Sequence, residues 1–297
     1  MLTARFSGVR PLLVWLYTLA AQQRGEKIIL FAGTEPAAIY RSDNLGESWS
    51  EFPSLREVPN TEHWMFPPPP HIAHVKNITF HPAEPETLYV CIEQGALLKS
   101  TDDGQTWVEN NKYQLPADQF YNDDHRVLIR PSNPQEIFMG TGDGLCYSGD
   151  GGATWERLTN GDSRIGYPDA ILLDPRDENV LYIGGPKSPP RTWGASKSAD
   201  ATVLKTADGG RSWQQLHNGL PTPQTGNIDA MGLYHFGAQI MLLAGTATGE
   251  IYVSENEGVS WNCLAQGIPP ISKGGHYRWF LTAEEKEKIE EKMRVSV

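Results

Sequence analysis

One phrase is written five times along this chain: a serine or threonine, then at fixed offsets an Asp or Asn, a Gly, a Ser or Thr, and a Trp. It runs Ser42 to Trp49, Ser100 to Trp107, Ser148 to Trp155, Thr206 to Trp213 and Ser254 to Trp261, and the tryptophans fall 58, 48, 58 and 48 residues apart. Self-similarity at such a spacing marks a repeat architecture with one supersecondary unit per period, here too long for the common helical solenoids and suited to a four-stranded blade. The pattern predicts an all-β propeller of five to six four-stranded blades.

The residue types in the phrase are those a hairpin needs. Gly46 and its four equivalents can take a positive φ where the chain reverses, and the Asp or Asn two residues earlier can hydrogen-bond the turn's own backbone. The Trp opens the next strand and brings a large apolar surface to pack between blades. Carboxylates recurring in this way are spent on the backbone they sit in, so all five phrases are set aside from the search for chemistry.

Overlaying the periods gives the blade. Its first strand is expected at Val75 to Phe80, Arg126 to Ile129, Ala170 to Leu173 and Ala230 to Leu233. The second is expected at Leu88 to Ile92, Ile137 to Gly140, Val180 to Gly184 and Met241 to Gly245, segments rich in residues that suit a pleated surface. The third strand runs into the repeated phrase and the fourth begins at its Trp. At the N-terminus, Leu12 to Ala21 after Arg5 and Arg10 has the length of a signal-peptide core. Trp and Tyr are poor residues for such a core, however, and Val14 to Leu19 with Ile28 to Gly33 reproduces the first two strands of a blade. The strand reading is preferred. His276 to Leu281 is expected to begin a sixth blade or complete an existing one, and Thr282 with Glu285 forms a capping box for a helix from Ala283 to about Arg294. The chain thus reads as one propeller domain, residues 1–281, and a short helical tail, residues 282–297.

Charge and cysteine usage narrow the partners. A net charge of −11 with no Lys/Arg-rich run argues against nucleic acid. No stretch approaches the roughly 20 apolar residues of a membrane span. Three cysteines, Cys91, Cys146 and Cys263, fall in different repeats and give no disulfide framework, which favours a reducing, cytoplasmic location over secretion.

Because blade strands alternate in direction, the repeated turns share one rim with the turns between first and second strands. The other rim collects the segments that lead into each first strand and leave each second strand, where propellers usually hold ligands. Leading into blade two are Trp64, four prolines from Pro67 to Pro70 that favour a stiff extended path, His71, His74 and Lys76. Glu93 leaves that blade. His125 and Arg126 lead into blade three, and Asp143 leaves it; Glu35 leaves blade one. Asp169 and the long loop with Arg191 and Trp193 belong to blade four. Imidazole and carboxylate groups meeting at one pocket are what acid–base chemistry at neutral pH requires, so His74, Glu93, His125, Asp143 and Glu35 are the candidate catalytic residues. Lys76, Arg126, His71, Asp169 and Arg191 suit an anionic or polyhydroxyl substrate, and Trp64 and Trp193 are either stacking platforms for a sugar ring or anchors for their loops.

The phrase S-x-D-x-G-x-T-W resembles the Asp-box (BNR) repeat. Together with His71 to Pro82, Glu93 to Leu98, Asp124-His125-Arg126 and Gly140 to Gly144, it makes the chain similar to bacterial BNR-like proteins of the sialidase-like, glycosyl-hydrolase-like group. That resemblance implies a propeller and a glycan or related small-molecule ligand. True sialidases bring an Arg-Ile-Pro motif, whereas Ile129-Arg130-Pro131 has another order and sits at a turn. The reading is therefore a hydrolase or lyase acting on a carbohydrate or related polar molecule by His/carboxylate chemistry. The alternatives are a non-catalytic binding scaffold, and a metal-dependent enzyme with a transition ion held by His74, His125 and His276.

Overall fold

The computed structural model describes residues 5–6, 15–67, 71–110, 112–118, 122–272 and 276–288. Residues 12–14 of the apolar N-terminal stretch, Pro68 to Pro70 and the helix beyond residue 288 lie outside this set. The fold is all-β, a five-bladed propeller with four-stranded blades. Blade one contains β2 (Trp15–Arg24), β3 (Lys27–Glu35), β4 (Ile39–Ser42) and β5 (Ser48–Glu51), with β1 (Arg5–Phe6) parallel to β5 at its edge. Blade two contains β6 (Val75–Phe80), β7 (Leu88–Ile92), β8 (Ala96–Ser100) and β9 (Val108–Glu109). Blade three contains β10 (Asp124–Ile129), β11 (Ile137–Thr141), β12 (Gly144–Ser148) and β13 (Glu156–Arg157). Blade four contains β14 (Ala170–Asp174), β15 (Asp177–Gly185), β16 (Thr202–Thr206) and β17 (Gln214–Gln215). Blade five contains β18 (Ile228–Phe236), β19 (Gln239–Thr246), β20 (Ile251–Ser254) and β21 (Asn262–Ala265).

The chain divides into two compact units, Met1–Ile137 with Gly149–Thr154 and Glu290–Val297, and Phe138–Ser148 with Trp155–Ile289. The first unit buries Phe31, Ile39, Leu55, Val75, Leu88 and Val90 in one core. In the second, Tyr182, Trp193, Val203, Ile228, Leu242 and Trp261 form the corresponding core. Within each unit, first strands approach a neighbouring blade at a glycine. A Cβ on Gly33 would lie 2.5 Å from Cγ1 of Val75, and one on Gly184 would lie 2.9 Å from Cγ2 of Ile228. The missing side chain is what lets the next blade's first strand lie this close.

The five repeated turns share one hydrogen-bond scheme. In the second, Ser100 Oγ accepts from the Gly104 amide at 2.9 Å and donates to Asp102 Oδ1, while Asp102 accepts from both the amide and the hydroxyl of Thr106. The turn at Thr206 repeats it; at Ser42 and Ser254, Asn44 and Asn256 accept from the same amide through Oδ1 but donate Nδ2 to the hydroxyls of Ser48 and Ser260. Asp150 accepts the same pair of bonds from Thr154. These hydrogen bonds hold Asp102 at about 2 and Asp208 lower still.

Two expectations change. Of the five tryptophans only Trp261 is buried, at 3% exposure, its Nε1 donating to Leu216 O; the others are half-buried, Trp107 still packing against the first unit's core with its Nε1 donating to Ser54 Oγ. His276–Phe280 is a 3₁₀ helix, not a strand of a sixth or an existing blade, because its side chains are drawn into contacts with Trp193 and Asp229 rather than into a ladder. The capping box does form: Glu285 Oε2 accepts from the Thr282 amide at 2.7 Å, and residues 283–288 are helical. No helix among the described residues is long and apolar enough to cross a membrane.

Candidate functional site

The polar cluster of the first unit is assembled by three segments. Glu93 and Asp123 form an isolated antiparallel bridge just beyond β7 and before β10, reinforced by Gly95 N–H donating to Asn122 O and by Asn122 Nδ2 donating to Gly95 O. The lead-in to β6 adds His74, whose carbonyl accepts from the Glu93 amide. The pairing of β6 with β7 then slips by one residue between Val75 and Asn77, so that Lys76 is inserted. The same slip inserts Tyr17 in blade one and Asp229 in blade five. Each inserted residue belongs to a polar cluster, in keeping with the tendency of bulges to re-aim side chains.

Glu93 is the centre of this array. Its Oε1 accepts from Lys76 Nζ at 2.7 Å and its Oε2 lies 2.7 Å from His74 Nε2. His74 Nδ1 faces Glu35 Oε2 at 3.6 Å, and its ring is stacked on Tyr17 with centroids 3.8 Å apart and edge-on to Phe66. His125 Nε2 lies 3.5 Å from Asp123 Oδ1, and Glu93, Asp123 and His125 place one ligand-type atom each within 4.8 Å of the others. Glu93 and His74 are 1% and 0% exposed, whereas the Glu35 side chain reaches 12%.

Burial and charge act against each other here. Burial by itself would push Glu93 up, but Lys76 and His74 overturn it and hold the carboxyl well below its usual range. Burial likewise disfavours the His74 imidazolium, and Glu35 and Glu93 more than offset it, so His74 is raised. Asp124 goes the other way: burial, with Asp123 and Glu93 nearby, raises it well above an ordinary carboxyl, and neither of its oxygens has a hydrogen-bond partner among the described residues. Beside the array, a cavity of about 210 Å³ is lined by Pro36, Ala37, Leu55, Arg56, Trp64 and Ala73 among others.

The second unit has its own cluster. His276 Nδ1 lies 2.7 Å from Asp229 Oδ1 and 3.6 Å from Asp169 Oδ2, and Asn227 Nδ2 donates to both carboxylates, at 2.6 Å for Asp169. All four side chains are buried.

The predicted residues therefore separate. His74, Glu93, Lys76, Glu35 and His125 meet in the first unit, with Arg126 half-buried on β10. His71 is exposed, with its Nδ1 3.2 Å from Phe66 O, and Trp64 is half-buried against the cavity. Asp143 is in the second unit, its carbonyl accepting from Arg157 Nη1. Asp169 and His276 belong to the second cluster, so the two carboxylate–imidazole groups hold His125 and His276 separately. Trp193 is 1% exposed, donates Nε1 to Ser188 O and meets His276 edge-on, which makes it an anchor within its loop; Arg191 is exposed. Sequence reasoning passed over Tyr17, Asp123, Asp124, Asn227 and Asp229. A one-residue slip in pairing leaves no mark in a single strand's composition, so only the paired register reveals two of these positions, Tyr17 and Asp229.

No family model matches the chain. It is 24% identical over 212 residues to a probable oligoxyloglucan-reducing end-specific xyloglucanase of Neosartorya fischeri, covering 64% of this chain and 22% of that protein. It is 26% identical over 239 residues to a xyloglucanase of a Paenibacillus species, covering 70% and 22%. The chain thus spans about a fifth of the length of these relatives. Among solved structures, an ancestral GH74 enzyme superposes over 84% of this chain and 32% of its own with a TM-score of 0.57 at 18% identity. YCF48 bound to D1 peptide superposes over 85% and 67% with a TM-score of 0.52 at 15% identity.

Proposed function

We propose that this chain is a glycan-directed propeller with hydrolase-type chemistry, its five repeated turns being Asp-boxes and its ligand a β-glucan chain of the xyloglucan class. The observation that carries the reading is the array Glu35, His74, Glu93, Lys76, with contacts of 3.6, 2.7 and 2.7 Å in that order. Lys76 and His74 hold the Glu93 carboxyl low, Glu35 and Glu93 raise His74 against its burial, and His74 faces Glu35, the most accessible carboxylate of the array. Glu35 precedes two residues that line the cavity, where Trp64 offers an aromatic face of the kind sugar rings stack on. In this reading Glu35 exchanges a proton with the glycosidic oxygen or the attacking water, and His74 steadies its charge as it does so. The relatives, all named as xyloglucanases, supply the substrate class. Cys91, Cys146 and Cys263, an odd number spread over three repeats, suit a reducing, cytoplasmic setting.

The test is hydrolysis of xyloglucan oligosaccharides followed by reducing-end release. Glu35→Gln is expected to lower kcat by roughly 10²–10⁴-fold, the usual contribution of a positioned acid or base, with KM little changed. Trp64→Ala is expected to raise KM. Full activity in Glu35→Gln, or no cleavage by the wild-type chain, would overturn the hydrolase reading.

A second reading is a binding scaffold without catalysis. It is favoured by the sealing of His74 and Glu93 from solvent and by the likeness to a structure of YCF48 bound to a peptide. Tight, non-hydrolytic binding of a glycan or peptide by wild type, lost in Trp64→Ala, supports it.

A further inference from the structure

We propose that Asp169, Asn227, Asp229 and His276 form a buried site for one divalent transition-metal ion, which fastens the segment beginning at His276 to blades four and five. The proposal is independent of the hydrolase reading. It rests on different residues in a different compact unit.

The donor set is the first ground. One imidazole nitrogen and one oxygen from each of two carboxylates lie within 4.8 Å of one another, with every side chain 3% exposed or less. Two carboxylates drawn this close in a low-dielectric interior repel one another. A divalent ion among them offsets that repulsion.

Asn227 is the second ground. Its backbone is pinned by the Ala247 amide donating to its carbonyl, and its carboxamide bridges Asp169 and Asp229 through Nδ2. Its Oδ1 is fully buried and has no hydrogen-bond partner among the described residues. A buried amide oxygen without a partner is rare and costly, and coordination would satisfy it. Rotation about χ2 brings Oδ1 to the two carboxylates, exchanging two hydrogen bonds for a fourth ligand. One nitrogen and three oxygens suit an ion between manganese and zinc in character better than a purely oxygen-seeking cation.

Placement gives the role. Asp169 precedes β14, Asn227 precedes β18 and Asp229 lies at its start, and His276 starts the 3₁₀ helix after the last blade. Trp193 and Tyr167 meet the imidazole edge-on, at 5.3 and 6.0 Å, and Trp193 also stacks on Phe280. An apolar collar of this kind limits water at the ion and fixes the ring that would bind it.

The experiment uses the full chain, dialysed against a chelator and then titrated with MnCl₂ and ZnCl₂ by calorimetry and thermal melting. One equivalent of ion per chain and a rise in melting temperature on adding it are expected, together with slower amide exchange across residues 276–288. Asp229→Asn should abolish binding. Asn227→Leu, which keeps the shape and removes both polar atoms, serves if Asp229→Asn fails to fold, and should weaken binding at least tenfold. Absence of stoichiometric binding and of any melting shift in the wild type overturns the proposal. So does binding that survives both variants and disappears in Glu93→Gln, because the ion would then belong to the first unit's cluster.

Discussion

His74 Nε2 and Glu93 Oε2 lie 2.7 Å apart with neither side chain open to solvent, and Lys76 closes the far side of the carboxylate at the same distance. The geometry makes a buried ionic group whose members depend on one another. Glu93 and His74 titrate with opposite signs.

Glu93 is depressed, so the stability it brings is present above its ordinary 4.5 and is lost as the pH falls through its folded value. His74 is raised, so its contribution is complete below its ordinary 6.5 and is lost as the pH rises through its folded value. Urea unfolding across the pH range should therefore show a stability plateau between those limits, with a decline on the alkaline side that His74→Gln removes. Lys76→Met should lower stability by about 3–5 kcal/mol, the usual result of stranding one partner of a buried pair. A flat alkaline limb in the wild type, or a loss under 1 kcal/mol in Lys76→Met, about the value of a surface pair, would contradict the buried-network account.

Asp124 offers the opposite case. Its carboxyl is raised by burial and by neighbouring acids, so at neutral pH the folded state carries a penalty that an uncharged isostere lacks. Asp124→Asn is expected to unfold at the same urea concentration as wild type or a higher one at neutral pH, the advantage disappearing as the pH falls toward the ordinary carboxyl value of 3.8. Marked destabilisation at neutral pH would mean that the ionised form is the one the fold uses.

The tryptophans of the repeated turns should not be equivalent. Trp261 is buried and donates its indole N–H to Leu216 O, so Trp261→Ala should cost about 3–5 kcal/mol. Trp155→Ala, half-buried, should cost clearly less by the same denaturation measurement. Equal losses would show that exposure is not what sets their contributions.

Gly33→Ala tests the approach of blade one to blade two. The added methyl would lie 2.5 Å from Val75 Cγ1, inside any real contact, and overpacking of this sort costs about 1–3 kcal/mol. The same methyl would lie 2.6 Å from Thr18 Cγ2 and 2.7 Å from Val75 Cβ, so Val75→Ala alone should leave much of the loss in place. Full recovery in that double variant would contradict the crowding by Thr18.

Acid titration should separate the turns from the ionic cluster. Asp102 accepts from Thr106 and Ser100 and sits at about 2, so its stabilisation is present above 3.8 and is lost toward that lower value. Asp102→Ala should lower the melting temperature at neutral pH, with the gap to wild type closing as the pH drops. A gap that stays constant with pH would mean the carboxylate's charge is not what the turn uses.

The sequence by itself determined the blades. Phrases such as Ser100 to Trp107 close on their own backbone, and β6 and β7 fall at Val75–Phe80 and Leu88–Ile92 as the pattern predicts, because hairpins and period-two burial are local properties. It also marked His74, Glu93 and His125 as polar groups at strand ends. The tertiary structure decided who meets whom. Lys76, Tyr17 and Asp229 reach their clusters through one-residue slips between paired strands, and His276 finds Asp229 from 47 residues away, so these partners are set by pairing register and chain return. Those are properties of two segments together, and neither segment carries them alone.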